Sequence, residues 1–201
     1  MIAYDRLGFG KSTARDKLPT PNFIDEETQI VNRLLDHFEA PHAVLFGYSV
    51  GGSMALSAAA QIPNRIIAVI SESAQVFVED HTLAGVAAAR LKFGNPEAVD
   101  KLRRWHGDKV EWILRAWFDV WTAPNFRDWS LKPILPNIEC PLLVIHGDLD
   151  EFGTLAFPET IAQLAGGRTK KVILENCGHI PHWEREDIVL EESASHLDDL
   201  S

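Results

Sequence analysis

Basic residues never gather in this chain: no run of Lys or Arg exceeds a pair, and 29 acidic residues outnumber 19 basic ones for a net charge of -10. A nucleic acid or an anionic membrane needs a basic face, so neither is expected as a partner. Cysteine is almost as scarce. Cys140 and Cys177 are too few for a disulfide framework and lack the CxxC spacing of a zinc site. No apolar run approaches the ~18 residues that a membrane-spanning helix needs. The opening residues, Met1 to Arg6, carry charge where a secretion signal needs an apolar core. The expected location is therefore cytoplasmic. Internal repeats and low-complexity tracts are missing as well. What remains is a chain of 201 residues, 46% hydrophobic and 24% charged, which suits one globular domain with room for an inserted subdomain.

The stretch that organises the rest is Val44-Leu45-Phe46-Gly47-Tyr48-Ser49-Val50-Gly51-Gly52. It reads as a buried strand, a sharp turn carrying one serine, and the start of an Ala-rich helix. Gly47-x-Ser49-x-Gly51 is the pattern of a nucleophile elbow. Its glycines are expected where the reversal brings chain segments so close that a Cβ would clash, pushing the Ser49 hydroxyl outward.

Before the elbow, residues 1–5 read as a strand and residues 6–12 as a turn. Gly10-Lys11-Ser12 is not the tail of a phosphate-binding loop, because Asp5 stands where that loop requires Gly. Ile30, Leu34, Leu35 and Phe38 recur at helical spacing, predicting a helix over residues 25–38. After the elbow helix, Ile66 to Ile70 is a uniformly apolar run, the mark of a parallel strand covered on both faces. Strand and helix then stop alternating. Residues 75–136 carry helical patterns, and four of the six Trp, namely Trp105, Trp112, Trp117 and Trp121, fall within seventeen residues of it. Asp108 with Glu111 resembles a capping box, predicting a helix from Asp108 to about Thr122 whose apolar face holds Val110, Ile113, Leu114, Trp117 and Trp121. This stripe serves either as packing or as the underside of a lid over a substrate pocket. The expected division is a core of residues 1–74 and 137–201 with a helical lid of residues 75–136.

Alternation resumes with a strand at residues 141–145, a loop from His146 to Gly153, and a helix over residues 154–164. A last strand follows at residues 171–174, with a loop from Glu175 to His182. A final helix from about Trp183 is expected to bury Leu190, Ala194 and Leu197.

Loops that follow the strands of a parallel sheet emerge at one edge, where ligands bind. Ser49, Asp150 and His179 each follow a different strand. A serine hydroxyl needs a base to take its proton, and the base needs a third group to hold its tautomer. The order Ser, Asp, His matches the α/β-hydrolase arrangement.

The chain resembles the α/β-hydrolases, in the branch holding esterases, cofactor-free haloperoxidases and carbon-carbon bond hydrolases. The resemblance rests on four segments: Tyr4-Asp5-Arg6-x-Gly8-x-Gly10-x-Ser12, Gly47-Tyr48-Ser49-Val50-Gly51-Gly52, His146-Gly147-Asp148-x-Asp150, and Gly178-His179-x-Pro181-His182-x-Glu184. It covers all but the expected lid. The resemblance implies an α/β fold with a mostly parallel sheet, helices on both faces and an inserted helical lid. It also implies a nucleophile Ser49, a base His179, an acid Asp150 and an oxyanion donor in the Val50 N–H. Serine at position 49 sets the chain apart from the dehalogenase and epoxide hydrolase branches, which use Asp there. Tyr48, Trp117 and Trp121 are the expected pocket residues, and a small, partly apolar ester or related acyl compound is the expected substrate. No cofactor or metal is expected.

Each assignment has a competitor. Asp148 stands near Asp150 as an acid, or else caps the turn. His182 stands near His179 as a base, or else pairs with Glu184 or packs under the last helix. A zinc site from His179 and His182 lacks further ligands, and Cys177 reads as a buried small hydrophobe. One departure from the family is larger. Its members carry three strands and a His-Gly loop ahead of the Tyr-Asp-Arg turn, and that loop supplies the second oxyanion donor. The expectation here is a shortened hydrolase whose sheet closes the gap by direct pairing, leaves edges open to self-association, or recruits strands from another chain. A weakly active or non-catalytic binding protein of the same fold is the alternative function.

Overall fold

The structure is a computed structural model and describes residues 1–200. Four parallel strands, β1 (Ala43–Tyr48), β2 (Ile66–Glu72), β3 (Leu142–Gly147) and β4 (Thr169–Leu174), lie side by side in chain order. The helices are α1 (Phe23–His37), α2 (Val50–Gln61), α3 (Asp80–Lys92), α4 (Pro96–His106), α5 (Val110–Trp121), α6 (Ala156–Leu164), a single turn α7 (Pro181–Glu184) and α8 (Glu186–Asp198).

Strand β3 shows why its sequence is uniformly apolar. Leu142 and Val144 pack into a core with residues of α1, α2 and α6, such as Ile24, Leu56 and Ile161. Leu143 and Ile145 point the other way, into a second core with Ile70, Leu174 and Val189 of α8. Successive side chains alternate between faces, so a strand sandwiched between helices must be apolar at every position.

Three expectations are corrected here. Residues 1–5 are not a strand: they run without a ladder partner, and Tyr4 instead donates its hydroxyl to Glu27 Oε1 at 2.7 Å. A strand exists only through its neighbour's hydrogen bonds, and none of the described residues supplies that neighbour. The gap is therefore not closed by direct pairing. The outer side of β1 is an open edge, with Phe46 54% exposed. Second, α5 starts at Val110 after a 3-10 turn over Gly107–Lys109, and Asp108 caps nothing. Lys109 is drawn away to the carbonyls of Gly10 and Ser12, each at 2.6 Å, which ties this helix to the first turn of the chain. Third, the last helix buries Val189 and His196, while Leu190, Ala194 and Leu197 are exposed. The chain breaks helical geometry at Arg185 (φ -143°, ψ 48°), so α8 does not continue the phase of α7.

Residues 80–121 form three helices, as their patterns suggest. Their tryptophans divide by environment. Trp105 is exposed, Trp112 donates to the Lys17 carbonyl at 3.3 Å, and Trp117 and Trp121 face the cavity described next.

Candidate active site

Ser49 sits between β1 and α2 with φ 53° and ψ -125°, a conformation that costs a non-glycine residue about 1–3 kcal/mol and persists only where surroundings enforce it. The enforcement is visible. The Ser49 N–H donates to the Glu72 carbonyl at 2.8 Å, extending the β1–β2 ladder, and the Ser49 carbonyl accepts from Gly52 N–H and Ser53 N–H. A Cβ on Gly47 would stand 2.2 Å from the Gly51 carbonyl oxygen, so only glycine fits there. Gly51 departs from expectation, since a Cβ on it would meet nothing within 4 Å. The close approach belongs to Gly52, whose Cβ would stand 2.7 Å from that of Ala74.

Asp150 follows β3, and its carboxylate accepts from His179 Nδ1 at 2.9 and 2.8 Å. His179 follows β4, and its Nε2 stands 2.9 Å from Ser49 Oγ, positioned to accept the hydroxyl proton. Asp150 and His179 are 4% and 7% exposed, dry enough for these bonds to be strong. Asp148 is not part of this line. Its Oδ1 accepts from Cys177 N–H at 3.3 Å and staples the two loops together.

Several contacts hold these loops in place. A Cβ on Gly147 would lie 2.2 Å from the Cys177 carbonyl oxygen, so glycine permits the approach of one loop to the other. Glu151 Oε2 accepts the His179 N–H at 3.1 Å and Glu184 Oε2 the Gly178 N–H at 3.0 Å. From α3, His81 Nε2 donates to the Asp150 carbonyl and Thr82 Oγ1 to the Phe152 carbonyl, both at 2.8 Å. His146 Nε2 donates to the Gly153 carbonyl at 3.1 Å and lies 3.6 Å from Asp150 Oδ2. Burial holds the His146 pKa below its ordinary value against the opposing pull of Asp150. Burial likewise raises the Cys177 thiol to about 11, leaving it inert at neutral pH.

His182 pairs with a residue that the sequence reading did not single out. Its Nδ1 and its backbone N–H both reach the fully buried Glu72 carboxylate, at 2.9 and 2.6 Å, and Glu184 is not its partner. Tyr48 packs between the two histidines, its ring centroid 5.2 Å from that of His179 and 4.8 Å from that of His182. Desolvation and the surrounding carboxylates raise the Tyr48 pKa, so its phenol stays protonated. Gln75 was missed as well. It is 4% exposed, its Nε2 points at Ser49 Oγ from 3.4 Å, and its Oε1 is buried without a partner. Its position just past the apolar strand β2, on the edge that bears Ser49, was the available signal.

The hydroxyl of Ser49 opens onto a cavity of about 570 Å³ whose walls include Tyr48, Val86, Phe93, Trp117, Trp121 and Phe152. The Val50 N–H, first in its helix, donates to no backbone acceptor and adjoins Ser49. Among the described residues no three His, Cys, Asp or Glu side chains cluster to hold a metal ion, and no helix is long and apolar enough to cross a membrane.

A sequence profile of the alpha/beta hydrolase family matches residues 1–192. The chain belongs to the alpha/beta hydrolase family. Several known proteins resemble it at a distance. Human serine hydrolase BPHL is 26% identical over 154 residues, covering 75% of this chain and 53% of that protein. The chain thus spans about half the length of that relative. The proline iminopeptidase of Saccharolobus solfataricus is 23% identical across 100% of this chain and 76% of its own. Among solved structures, a bacterial membrane phospholipase A superposes with a TM-score of 0.73 at 23% identity, over 96% of this chain and 68% of that one.

Proposed function

We propose that the chain is a serine hydrolase that cleaves an ester or related acyl bond of a small, partly apolar substrate. The observation that carries this reading is the unbroken line of hydrogen bonds from Asp150 through His179 to Ser49 Oγ, which ends in an apolar cavity. Ser49 Oγ attacks the substrate carbonyl while His179 Nε2 takes its proton. The new C–O bond forms as the carbonyl oxygen becomes an oxyanion facing the Val50 N–H. Collapse expels the leaving alcohol, which receives the proton from His179, and an acyl-enzyme remains. Water then gives a proton to His179 and attacks the acyl carbon, releasing the acid and restoring Ser49. Asp150 keeps the proton on His179 Nδ1 and stabilises the imidazolium without being protonated itself. In this reading residues 75–136 are the lid, and Trp117 and Trp121 its contribution to the substrate cavity.

In a second reading, a weakly active or non-catalytic binding protein, the oxyanion is left to the Val50 N–H without a second donor. Losing one oxyanion donor costs about 100- to 1000-fold in rate. Turnover of p-nitrophenyl butyrate separates the two. The hydrolase reading expects saturable turnover that Ser49→Ala reduces by several orders of magnitude. Turnover that is unaffected by Ser49→Ala would refute it.

A further inference from the structure

The cavity at Ser49 holds a cation that no anion answers. Arg6 lines it together with Ser49, Val50 and His179. Its guanidinium lies over Phe9, 4.4 Å from the ring centroid, and Nη1 donates to Met54 Sδ at 3.4 Å, a weak acceptor. Arg65, Arg90, Arg103, Arg115, Arg127 and Arg168 each reach a carboxylate. Among the described residues Arg6 has no carboxylate oxygen within 4.0 Å. Glu27 acts on it only at longer range and is already bonded to the Tyr4 hydroxyl at 2.7 Å.

A half-buried guanidinium stays charged, and a charge that has lost water without gaining a partner is costly. The cavity's own charges sharpen the contrast with the whole molecule. The chain carries a net -10, yet this cavity presents Arg6 and Lys92 against Glu151, whose carboxylate is taken up by the His179 N–H. A planar anion with two oxygens would match the guanidinium fork and replace the water it has lost.

We propose that Arg6 binds a carboxylate of the substrate, so that the compound cleaved at Ser49 is a monoester of a short dicarboxylic acid or an acyl compound of the same charge and shape. The identity of the cleaved bond rests on the hydrolase reading above; the anion site does not. The carboxylate is held, not consumed: water adds across the ester bond and the dicarboxylic acid leaves with an alcohol.

The test compares kcat/KM for monoethyl glutarate and monoethyl adipate with that for ethyl pentanoate and ethyl hexanoate, in the parent, Arg6→Gln and Arg6→Lys. The ratio of anionic to neutral substrate should fall about 10- to 100-fold in Arg6→Gln, as expected for a charged hydrogen bond, and recover in part in Arg6→Lys. Because it is a ratio, partial misfolding cancels. A change smaller than about twofold, a fraction of one such bond, would overturn the proposal. A second measurement needs no turnover. Glutarate should quench the fluorescence of Trp117 and Trp121 saturably, 1,5-pentanediol should not, and Arg6→Gln should bind glutarate at least about tenfold more weakly. Equal responses to glutarate and the diol would also overturn it. Glutarate binding without hydrolysis of any ester supports the anion site and refutes the hydrolase reading. Hydrolysis of neutral esters without glutarate binding supports the hydrolase reading and refutes the anion site.

Discussion

Asp150 sets both of its carboxylate oxygens on Nδ1 of His179, at 2.9 and 2.8 Å, whereas Asp148, two positions earlier, touches only the backbone of Cys177. The two carboxylates therefore differ in kind. Asp150→Asn should lower ester turnover by about 10⁴, because the amide keeps the geometry but reverses the tautomer of the histidine. Asp148→Asn keeps an oxygen for the Cys177 N–H and should lower it by less than about tenfold, the scale of one neutral hydrogen bond. Equal losses in the two variants would remove the ground for naming Asp150 the acid.

Acid should destabilise the fold through His146. Burial lowers its pKa below the ordinary 6.5, more than Asp150, the Gly153 carbonyl and Glu79 raise it, with His179 lowering it further. The unfolded chain thus takes up a proton near pH 6.5 that the folded chain refuses. The stability this contributes is intact above that pH and is lost as pH falls through the lower folded-state value. His196, also buried, shifts in the same direction. Urea midpoints should fall from pH 7 toward pH 5, and the fall should be shallower in His146→Gln. An identical fall in parent and variant would contradict the assignment.

The open edge of β1 should make the chain self-associate. Its outer side lacks a neighbouring strand among the described residues, and Phe46 stands 54% exposed on it. Unpaired edges with apolar side chains are templates for another strand. Sedimentation velocity should show mass rising with concentration, and Phe46→Lys should reduce the rise by placing charge on the edge. A single monomeric species at every concentration would show that the edge is silent.

The parts of this molecule that were legible in the sequence are those where one local pattern has one physical cause. Strand β3 could be read because burial on both faces demands an unbroken apolar run, and Gly47 because the elbow leaves no room for a Cβ. Residues 1–5 were misread because strand formation depends on a neighbour that local sequence does not report. Helix α8 was misread because a break at Arg185 reset its phase, which spacing alone does not reveal. The Glu72–His182 pair was out of reach for another reason. It joins the end of β2 to the single turn α7, and a single Glu ending an apolar strand carries no sign of its partner. Gln75 belongs to the same class, a polar side chain whose significance comes only from where the turn after β2 delivers it.

The central claim is that Ser49 is the nucleophile, and covalent labelling with a fluorophosphonate tests it most directly. Peptide mass spectrometry should place the adduct on the peptide containing Ser49, labelling should vanish in Ser49→Ala, and His179→Gln should slow it by depriving the hydroxyl of its base, which lies 2.9 Å away. An adduct that persists in Ser49→Ala, or that maps to Ser12 or Ser53, would contradict the account.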